Sequence, residues 1–465
     1  MAIYHLNANV ISRGRGQSIV AAAAYRSGTR LRDDRYGSTH DYTAKRGGAH
    51  AEIMAPAGAP DWVRDREALW NRVESAELRK DSQLARAIEV GLPVELSADQ
   101  CLVLVRDYIA RTFVSKGMVA DFSIRRDNPE NPLAHLLLTL REVGPLGFGP
   151  KARHWNGKAN LLEWRAAWAE RANEHLARAG HAIRIDHRTL EAQQIELTPA
   201  RRVGLGRPRD GDANLPDHLA DRITEQQRIV RENGAAILED PSVVLRALAH
   251  RSPTFTHDDI ARFLRPRTDG AAQFDAALLA VTQSDELVAL QSGRAGENRF
   301  TSRDMLEAAK SLRQRAASMA SRQGHGISSH AHAGVLSQFG FEDEQRRAFD
   351  YLLGEGDAKA LALAANAGRV SLLTAAREAW ERDGLRVYGV TRDGWQQGRD
   401  PPTRASVLVV DGAEMISLKP LERIVAVADK ARAKIVLIGD LQQLQAMNLD
   451  SPFQDVLRGI GLPVV

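Results

Sequence analysis

Met118-Val-Ala-Asp-Phe-Ser-Ile-Arg125 and Leu133-Ala-His-Leu-Leu-Leu-Thr-Leu-Arg-Glu142 decide how the first part of this chain folds. Each run alternates with period two. Arg126–Pro132 between them, with its Asp, Asn and Pro residues, reads as a loop, so the pair is a predicted antiparallel hairpin. Ala120, Phe122 and Ile124 face one way, with Leu136, Leu138 and Leu140 on the matching face of the second strand. Asp121, Ser123 and Arg125 face the other way, with Leu133, His135, Leu137 and Thr139. His135 and Arg125 therefore project from one side of a sheet whose other side is core. The plainest expectation is a sheet with one solvated face.

Working outward, Ile3–Ser12 reads as a strand and Gly16–Arg30, rich in alanine, as a helix. Trp62–Ala87 reads as one long charged helix. Ser97 and Gln100 fit a capping box that opens a helix ending at Gly117. Residues 197–225 carry Thr198-Pro-Ala-Arg-Arg and Gly204-Leu-Gly-Arg-Pro-Arg-Asp-Gly-Asp without periodic apolar positions, which reads as a linker. Residues 226–335 read as mostly helical. Residues 336–465 return to alternating helices and buried strands: Gln345–Leu353 helix, Ala360–Ala365 strand, Leu373–Arg382 helix, Val407–Asp411 strand, Lys434–Asp440 strand. That order predicts a parallel sheet.

Composition narrows the function classes. The 465 residues hold 63 Lys and Arg against 59 Asp and Glu, a balance that permits a polyanionic partner without demanding one. Aromatic residues make up 5%, too few for an extended base-stacking surface. A lone cysteine, Cys101, excludes a disulfide framework and a Cys-based zinc site. No apolar run reaches the roughly 18–20 residues of a membrane-spanning helix, so no membrane insertion and a cytoplasmic location are expected. Residues 1–50 hold eight Lys and Arg against three acids, a local excess that suits a DNA backbone.

Tyr25 stands in Ala21-Ala-Ala-Ala-Tyr-Arg-Ser-Gly. The small alanines let that helix pack closely and put Tyr25 and Arg26 at its exposed end. A tyrosine can be a covalent nucleophile, but with a free pKa of about 10 it needs a nearby cation or base. The alternative is an ordinary packed aromatic.

Ala2-Ile-Tyr-His-Leu, Ala21-Ala-Ala-Ala-Tyr-Arg, Asp41-Tyr-Thr, Trp70-Asn-Arg-Val-Glu, Glu89-Val-Gly-Leu-Pro-Val-Glu-Leu, Gly117-Met-Val-Ala-Asp, Asn131-Pro-Leu-Ala-His-Leu-Leu-Leu-Thr and Ile185-Asp-His-Arg-Thr-Leu-Glu-Ala-Gln carry a resemblance. Residues 1–196 resemble the relaxase domain of MobA/MobL-type conjugation proteins, most of all the TraA-type relaxase–helicases. The resemblance implies an endonuclease of plasmid mobilization that nicks single-stranded DNA at a transfer origin and becomes linked to its 5′ phosphate. Tyr25 is then the nucleophile and Glu89 an acidic residue beside it. A divalent ion, Mg or Mn, is implied on three histidines at positions 125, 133 and 135. Here those positions hold Arg125, Leu133 and His135, so a single ligand remains. His5 and His50 are candidates to replace the missing two. A guanidinium at position 125 repels a metal yet attracts a phosphate, bidentately. Arg26 and Arg125 are therefore the expected DNA contacts.

Residues 226–465 resemble the helicase half of the same proteins, through Asn233-Gly, Phe255-Thr-His-Asp-Asp-Ile-Ala, Phe300-Thr-Ser-Arg-Asp-Met, Gln345-Arg-Arg-Ala and Gly439-Asp-Leu-Gln-Gln-Leu-Gln. The resemblance implies an ATP- and Mg-binding lobe. Gln345 stands where an adenine contact is expected, and Gln443 where a nucleotide sensor is. A P-loop needs Gly-x-x-x-x-Gly-Lys-Ser/Thr. The chain offers Leu363-Ala-Ala-Asn-Ala-Gly-Arg-Val followed by Ser371. Gly368 is kept, Arg369 replaces the lysine and Val370 the hydroxyl. Asp411 keeps the metal-side carboxylate, and Gly412 stands where a catalytic glutamate is expected. A second RecA-like lobe is not found, and the chain's end at Leu462-Pro-Val-Val reads as truncated.

The expectation is thus an α/β chain. It comprises a relaxase-like two-layer domain with an antiparallel sheet (1–196), a linker (197–225), a helical region (226–335) and a partial RecA-like parallel lobe (336–465). Its partners would be transfer-origin single-stranded DNA and conjugative transfer or secretion proteins. The alternatives are a non-catalytic single-stranded DNA-binding protein and a decayed remnant.

Overall fold

The computed structural model describes residues 4–44, 50–126, 128–129, 131–181, 183–193, 195–199, 217–290, 298–363, 367–390, 401–440 and 456–457. The chain divides into two compact units, residues 1–176 with 183–187, and residues 177–182 with 188–465.

The first unit is built on β1 (Leu6–Ser12), α1 (Ile19–Ser27), β2 (Arg30–Asp33), β3 (Ser38–Asp41), β4 (His50–Met54), α2 (Arg66–Ala76), β5 (Gln83–Gly91), α3 (Ala98–Thr112), β6 (Ala120–Arg125), β7 (Leu133–Thr139), β8 (Arg141–Gly144), β9 (Gly147–Lys151) and α4 (Lys158–Arg178). Five strands form one antiparallel sheet in the order β1-β5-β7-β6-β4. The β6–β7 hairpin forms as the alternation predicts, with Ser123 opposite His135 and Arg125 opposite Leu133. Ser97 and Gln100 make the expected capping box at the start of α3.

Two expectations change. The stretch read as one helix, Trp62–Ala87, ends as a helix at Ala76. Residues 83–91 form β5, in the sheet between β1 and β7. A strand buried on both faces reads as a nearly continuous apolar run, which periodicity cannot tell from a buried helix. Arg86 misled further, because it lies inside that strand yet is buried. Its guanidinium sits 4.8 Å over the ring of Trp164, and burial pushes its pKa down to about 10.

The face expected to be solvated is also covered along most of β6. Asp121 points toward α2, where it accepts from Arg66 at 2.8 Å and from the Trp70 indole N–H at 2.8 Å. Alanines of α1 pack on Ala85, Ala87 and Leu137 of the same face. On the opposite face α3 reaches the sheet through Arg106–Glu52 (2.7 Å), and α4 through Trp164 over Arg86. Helix layers on both faces remove the hydrophobic strands from water, the main stabilising term of the unit.

The second unit begins with helices: α5 (Asp217–Glu239), α6 (Ser242–Ala249), α7 (His257–Leu264) and α8 (Gly270–Thr282). Asp217 opens α5 inside the stretch read as linker. A short antiparallel pair, β10 (Leu287–Leu290) with β11 (Arg299–Ser302), then lies within the region read as mostly helical. It is followed by α9 (Arg303–Ala320), α10 (Ser329–Leu336), α11 (Asp343–Leu353), β12 (Ala358–Leu363), α12 (Ala367–Arg382), β13 (Arg386–Val390), β14 (Ser406–Asp411), α13 (Leu418–Ala431) and β15 (Lys434–Asp440). The last four strands form the predicted parallel sheet, ordered β12-β15-β14-β13. Core clusters lie on both its faces, one with α9 and α13, the other with α11 and α12.

Candidate functional site

Ser18 caps α1 by accepting from Ala21 N–H at 3.0 Å. Ala23 and Ala24 are buried, so the helix lies close on the sheet. It stops at Gly28, whose φ of +65° belongs to the left-handed region that closes helices. Tyr25 is therefore carried in the last turn on the outward side, 41% exposed. Its ring meets Tyr42 edge-on, with centroids 5.3 Å apart. The tyrosine is not sealed in hydrocarbon.

Arg26 is half-buried, and its guanidinium donates to the Ala22 carbonyl at 3.1 Å. Burial lowers its pKa, while the negative charges of Glu89 and Asp121 and the phenol of Tyr25 act to raise it. Glu89 lies on β5 directly opposite His135 of β7 and Asn7 of β1. Its two oxygens are divided between two imidazoles: Oε1 lies 3.0 Å from His5 Nε2, and Oε2 3.3 Å from His135 Nδ1. The hydrogen bond with His5 holds the Glu89 carboxyl below its usual range, with the charges of His135 and Arg26 acting in the same direction. Glu89 thus stands as an anion between two imidazoles.

His5 and His50 separate cleanly. His5 belongs to the cluster. His50 pairs with Ile124 and lies against Phe122, on the opposite face of the sheet, where it contacts Glu52 at 2.9 Å. Pleating alone forbids it from joining His135. The part played by His5 is the feature that the sequence reading left open. Its signal is the alternation His5, Asn7, Asn9 along the edge strand.

Arg125 and Leu133 face each other across the hairpin, both half-buried, on the same side as His135. The donor set does not fit the divalent ion that the resemblance implies. Two of three positions carry no metal donor, and both oxygens of Glu89 already face imidazole nitrogens. Among the described residues no group of three or more His, Cys, Asp or Glu is arranged to hold a metal. What the arrangement offers instead is two imidazoles on the Glu89 carboxylate with the Arg26 charge beside it, an exposed phenol on the neighbouring residue Tyr25, and Arg125 further along the same face of the hairpin.

In the second unit Arg369 lies in the first turn of α12, at the carboxyl end of the parallel sheet, and forms an ion pair with Asp411. The arginine occupies the carboxylate that a nucleotide-bound Mg would need. Val370, at the hydroxyl position, is exposed. Gly412 has φ +78°, a conformation that would cost any other residue about 1–2 kcal/mol, so a glutamate does not belong there. A carboxylate reappears two residues on: Glu414 is buried, and burial raises its pKa against the opposing charge of Arg369. Ser371 lies exposed one turn inside α12. Gln345 accepts from Glu342 N–H at 3.2 Å, as part of the cap of α11. Gln443 lies outside the described residues. This set does not fit Mg-nucleotide either.

Comparison with known proteins agrees with this two-part reading. The MobA/MobL family profile matches residues 17–209, and an AAA domain profile matches residues 393–463. Conjugal transfer protein TraA of Rhizobium radiobacter is 33% identical, over 99% of this chain and 48% of its own length. Mobilization protein MobL of Acidithiobacillus ferridurans is 35% identical, over 52% of this chain and 73% of its own. A solved structure described as "Molecular Basis of Vancomycin Resistance Transfer in Staphylococcus aureus" is 37% identical, over 40% of this chain and 100% of its own, with a TM-score of 0.38. The chain spans about half the length of the TraA relatives it matches. Alongside this likeness to TraA proteins over part of their length, the chain belongs to the MobA/MobL family.

Proposed function

We propose that the first unit binds single-stranded DNA of a transfer origin without a divalent ion, and that it does not nick that strand efficiently. The observation that carries this reading is the pair Arg125 and Leu133, which face each other beside His135 at two of the three positions where imidazoles are implied. A phosphate entering beside Tyr25 meets Arg26 and Arg125, and guanidinium recognises phosphate through paired N–H donors. Nothing in that contact needs a metal. The phenol of Tyr25 keeps its exposed place, but the Lewis acid that would polarise the scissile phosphate has too few ligands. In the second unit, the Arg369–Asp411 pair supports loss of Mg-ATP turnover in the same way.

A second reading is that His5 stands in for a lost ligand and the strand is still cut at Tyr25. The 3.0 Å contact of His5 with Glu89 favours it. One experiment separates the two. The full chain is incubated with supercoiled and single-stranded origin DNA, with Mn, with Mg, or with chelator. Binding that survives chelation, with no tyrosine-linked product, is the expected result. A Tyr25-linked product that appears with Mg or Mn at an ordinary nicking rate would falsify the proposal.

A further inference from the structure

Only two aromatic side chains are found among the large apolar residues exposed in the described structure, Tyr25 (41%) and Tyr36 (53%). Tyr25 is accounted for. Tyr36 stands at the tip of the β2–β3 hairpin, the ribbon that directly follows α1.

That tip is held unusually firmly. Asp33 is fully buried, and its Oδ1 accepts from the backbone N–H groups of Arg35 (3.1 Å) and Tyr36 (3.3 Å). Its Oδ2 accepts from the Ser18 hydroxyl at 2.6 Å, which ties the turn to the start of α1. From α2, Glu67 accepts from Arg32 N–H at 2.7 Å. Asn71 accepts from Asp34 N–H at 2.9 Å and donates to the Arg32 carbonyl at 2.8 Å. At the other end of the ribbon, Tyr42 packs on Tyr25. The register places Arg30 and Arg32 on the exposed face with Thr39 and Asp41, and Leu31 and Asp33 on the buried one. The Arg35 guanidinium sits 6.0 Å from the centre of the Tyr36 ring.

A rigid ribbon that spends a buried carboxylate on its own turn is built to present something. Here it presents a phenol ring beside the Arg35 guanidinium, at the end of a strand whose exposed face carries Arg30 and Arg32, the latter 3.5 Å from Asp34. Four strand residues carry Tyr36 about 13 Å from the ribbon's base. That span is on the order of four base steps in a stacked strand. We propose that the β2–β3 hairpin is a second contact for single-stranded DNA, in which Tyr36 stacks on a base and Arg30 and Arg32 face the backbone. The inference rests on the reading that this unit binds single-stranded DNA, and adds where along the strand it does so. It also reconciles low aromatic content with base contact: two rings at a fixed spacing, rather than an extended platform.

The test uses the full chain and oligo-dT, with anisotropy as the readout. One strand is long enough to reach both rings, and the other, of about three nucleotides, reaches only Tyr25. Tyr36→Ala is expected to weaken binding of the long strand about tenfold and to leave the short strand unchanged. Tyr36→Phe, which keeps the ring, should match wild type on both. Duplex DNA offers no free base face, so its binding should not respond to either change. If wild type binds the long strand and Tyr36→Ala binds it equally well, the hairpin proposal falls while the function proposal stands. An equal loss on duplex DNA overturns stacking as the mode. If wild type binds no single strand at all, both proposals fail.

Discussion

The two units differ in what surrounds an arginine that the family resemblance does not lead one to expect. Each carries an arginine where the family resemblance implies a different residue, Arg125 for an imidazole and Arg369 for a lysine. In the first unit Arg125 lies half-buried opposite Leu133 on the hairpin, while Glu89 is held by His5 and His135. In the second, Arg369 turns on the neighbouring carboxylate and pairs with Asp411. The acid is held by imidazoles in the first unit and by the guanidinium itself in the second, so the chemistry at each position follows from which groups the fold brings to the carboxylate.

That contrast is open to attack. The largest effect is expected in the first unit. Arg125→His with Leu133→His returns the two implied ligands and should raise Mn-dependent nicking on the order of a hundredfold over wild type. If the double variant stays as inactive as wild type in a cleavage gel, the defect lies beyond the ligand set, and the contrast loses its first half.

A smaller gain is expected in the second unit. Arg369→Lys removes the forked guanidinium and leaves a head that fits a phosphate cradle. Binding of a fluorescent ATP analogue with Mg should tighten about tenfold, with hydrolysis still absent because Gly412 supplies no carboxylate. Unchanged nucleotide affinity would show that the Arg369–Asp411 pair is not what closes the site.

The smallest effect concerns buried charge. In the first unit Asp121 is paired with Arg66 and Trp70. In the second, Lys434 is fully buried against carbonyl oxygens, of Gly354 at 2.8 Å and His325 at 3.2 Å. Burial pushes its pKa down to about 7, and the charge of Lys359 acts in the same direction. Between that value and its ordinary 10.5 the unfolded chain binds the proton more than the folded one. Stability of the second unit should therefore rise as pH increases from 7 toward 10, by a few degrees in Tm. Lys434→Met should flatten the profile. A wild-type profile that is already flat would remove the buried free ammonium from the picture.

Much of this was readable from residues alone. Alternation predicted β6 and β7 with their faces. The Ser97–Gln100 box marked the start of α3. Continuous apolar runs located three of the four parallel strands to within two residues, with β15 matching at both ends, while β13 carried no clear run. Tyr25 at the end of an alanine helix followed from residue size. The failures share a cause. β5 was read as helix because a strand covered on both faces shows no period of two, and its charged residue, Arg86, is stabilised by Trp164, some 80 positions away. The expectation of a solvated face failed because Asp121 and Ser123 look solvent-facing, while the helices that cover them lie elsewhere in sequence.

By itself, then, the order of amino acids determined most local elements and the family, and it put Arg125, Leu133, Arg369 and Gly412 where the resemblance implies other residues, because each of these is a property of residue type and near-neighbour spacing. Which partners the survivors found was decided only in three dimensions. His5 meets Glu89 and His50 does not, Arg369 meets Asp411, and Asp33 locks the turn under Tyr36. Those choices depend on strand register and helix placement, and contacts between distant residues are set by how the layers pack rather than by any pattern along the chain.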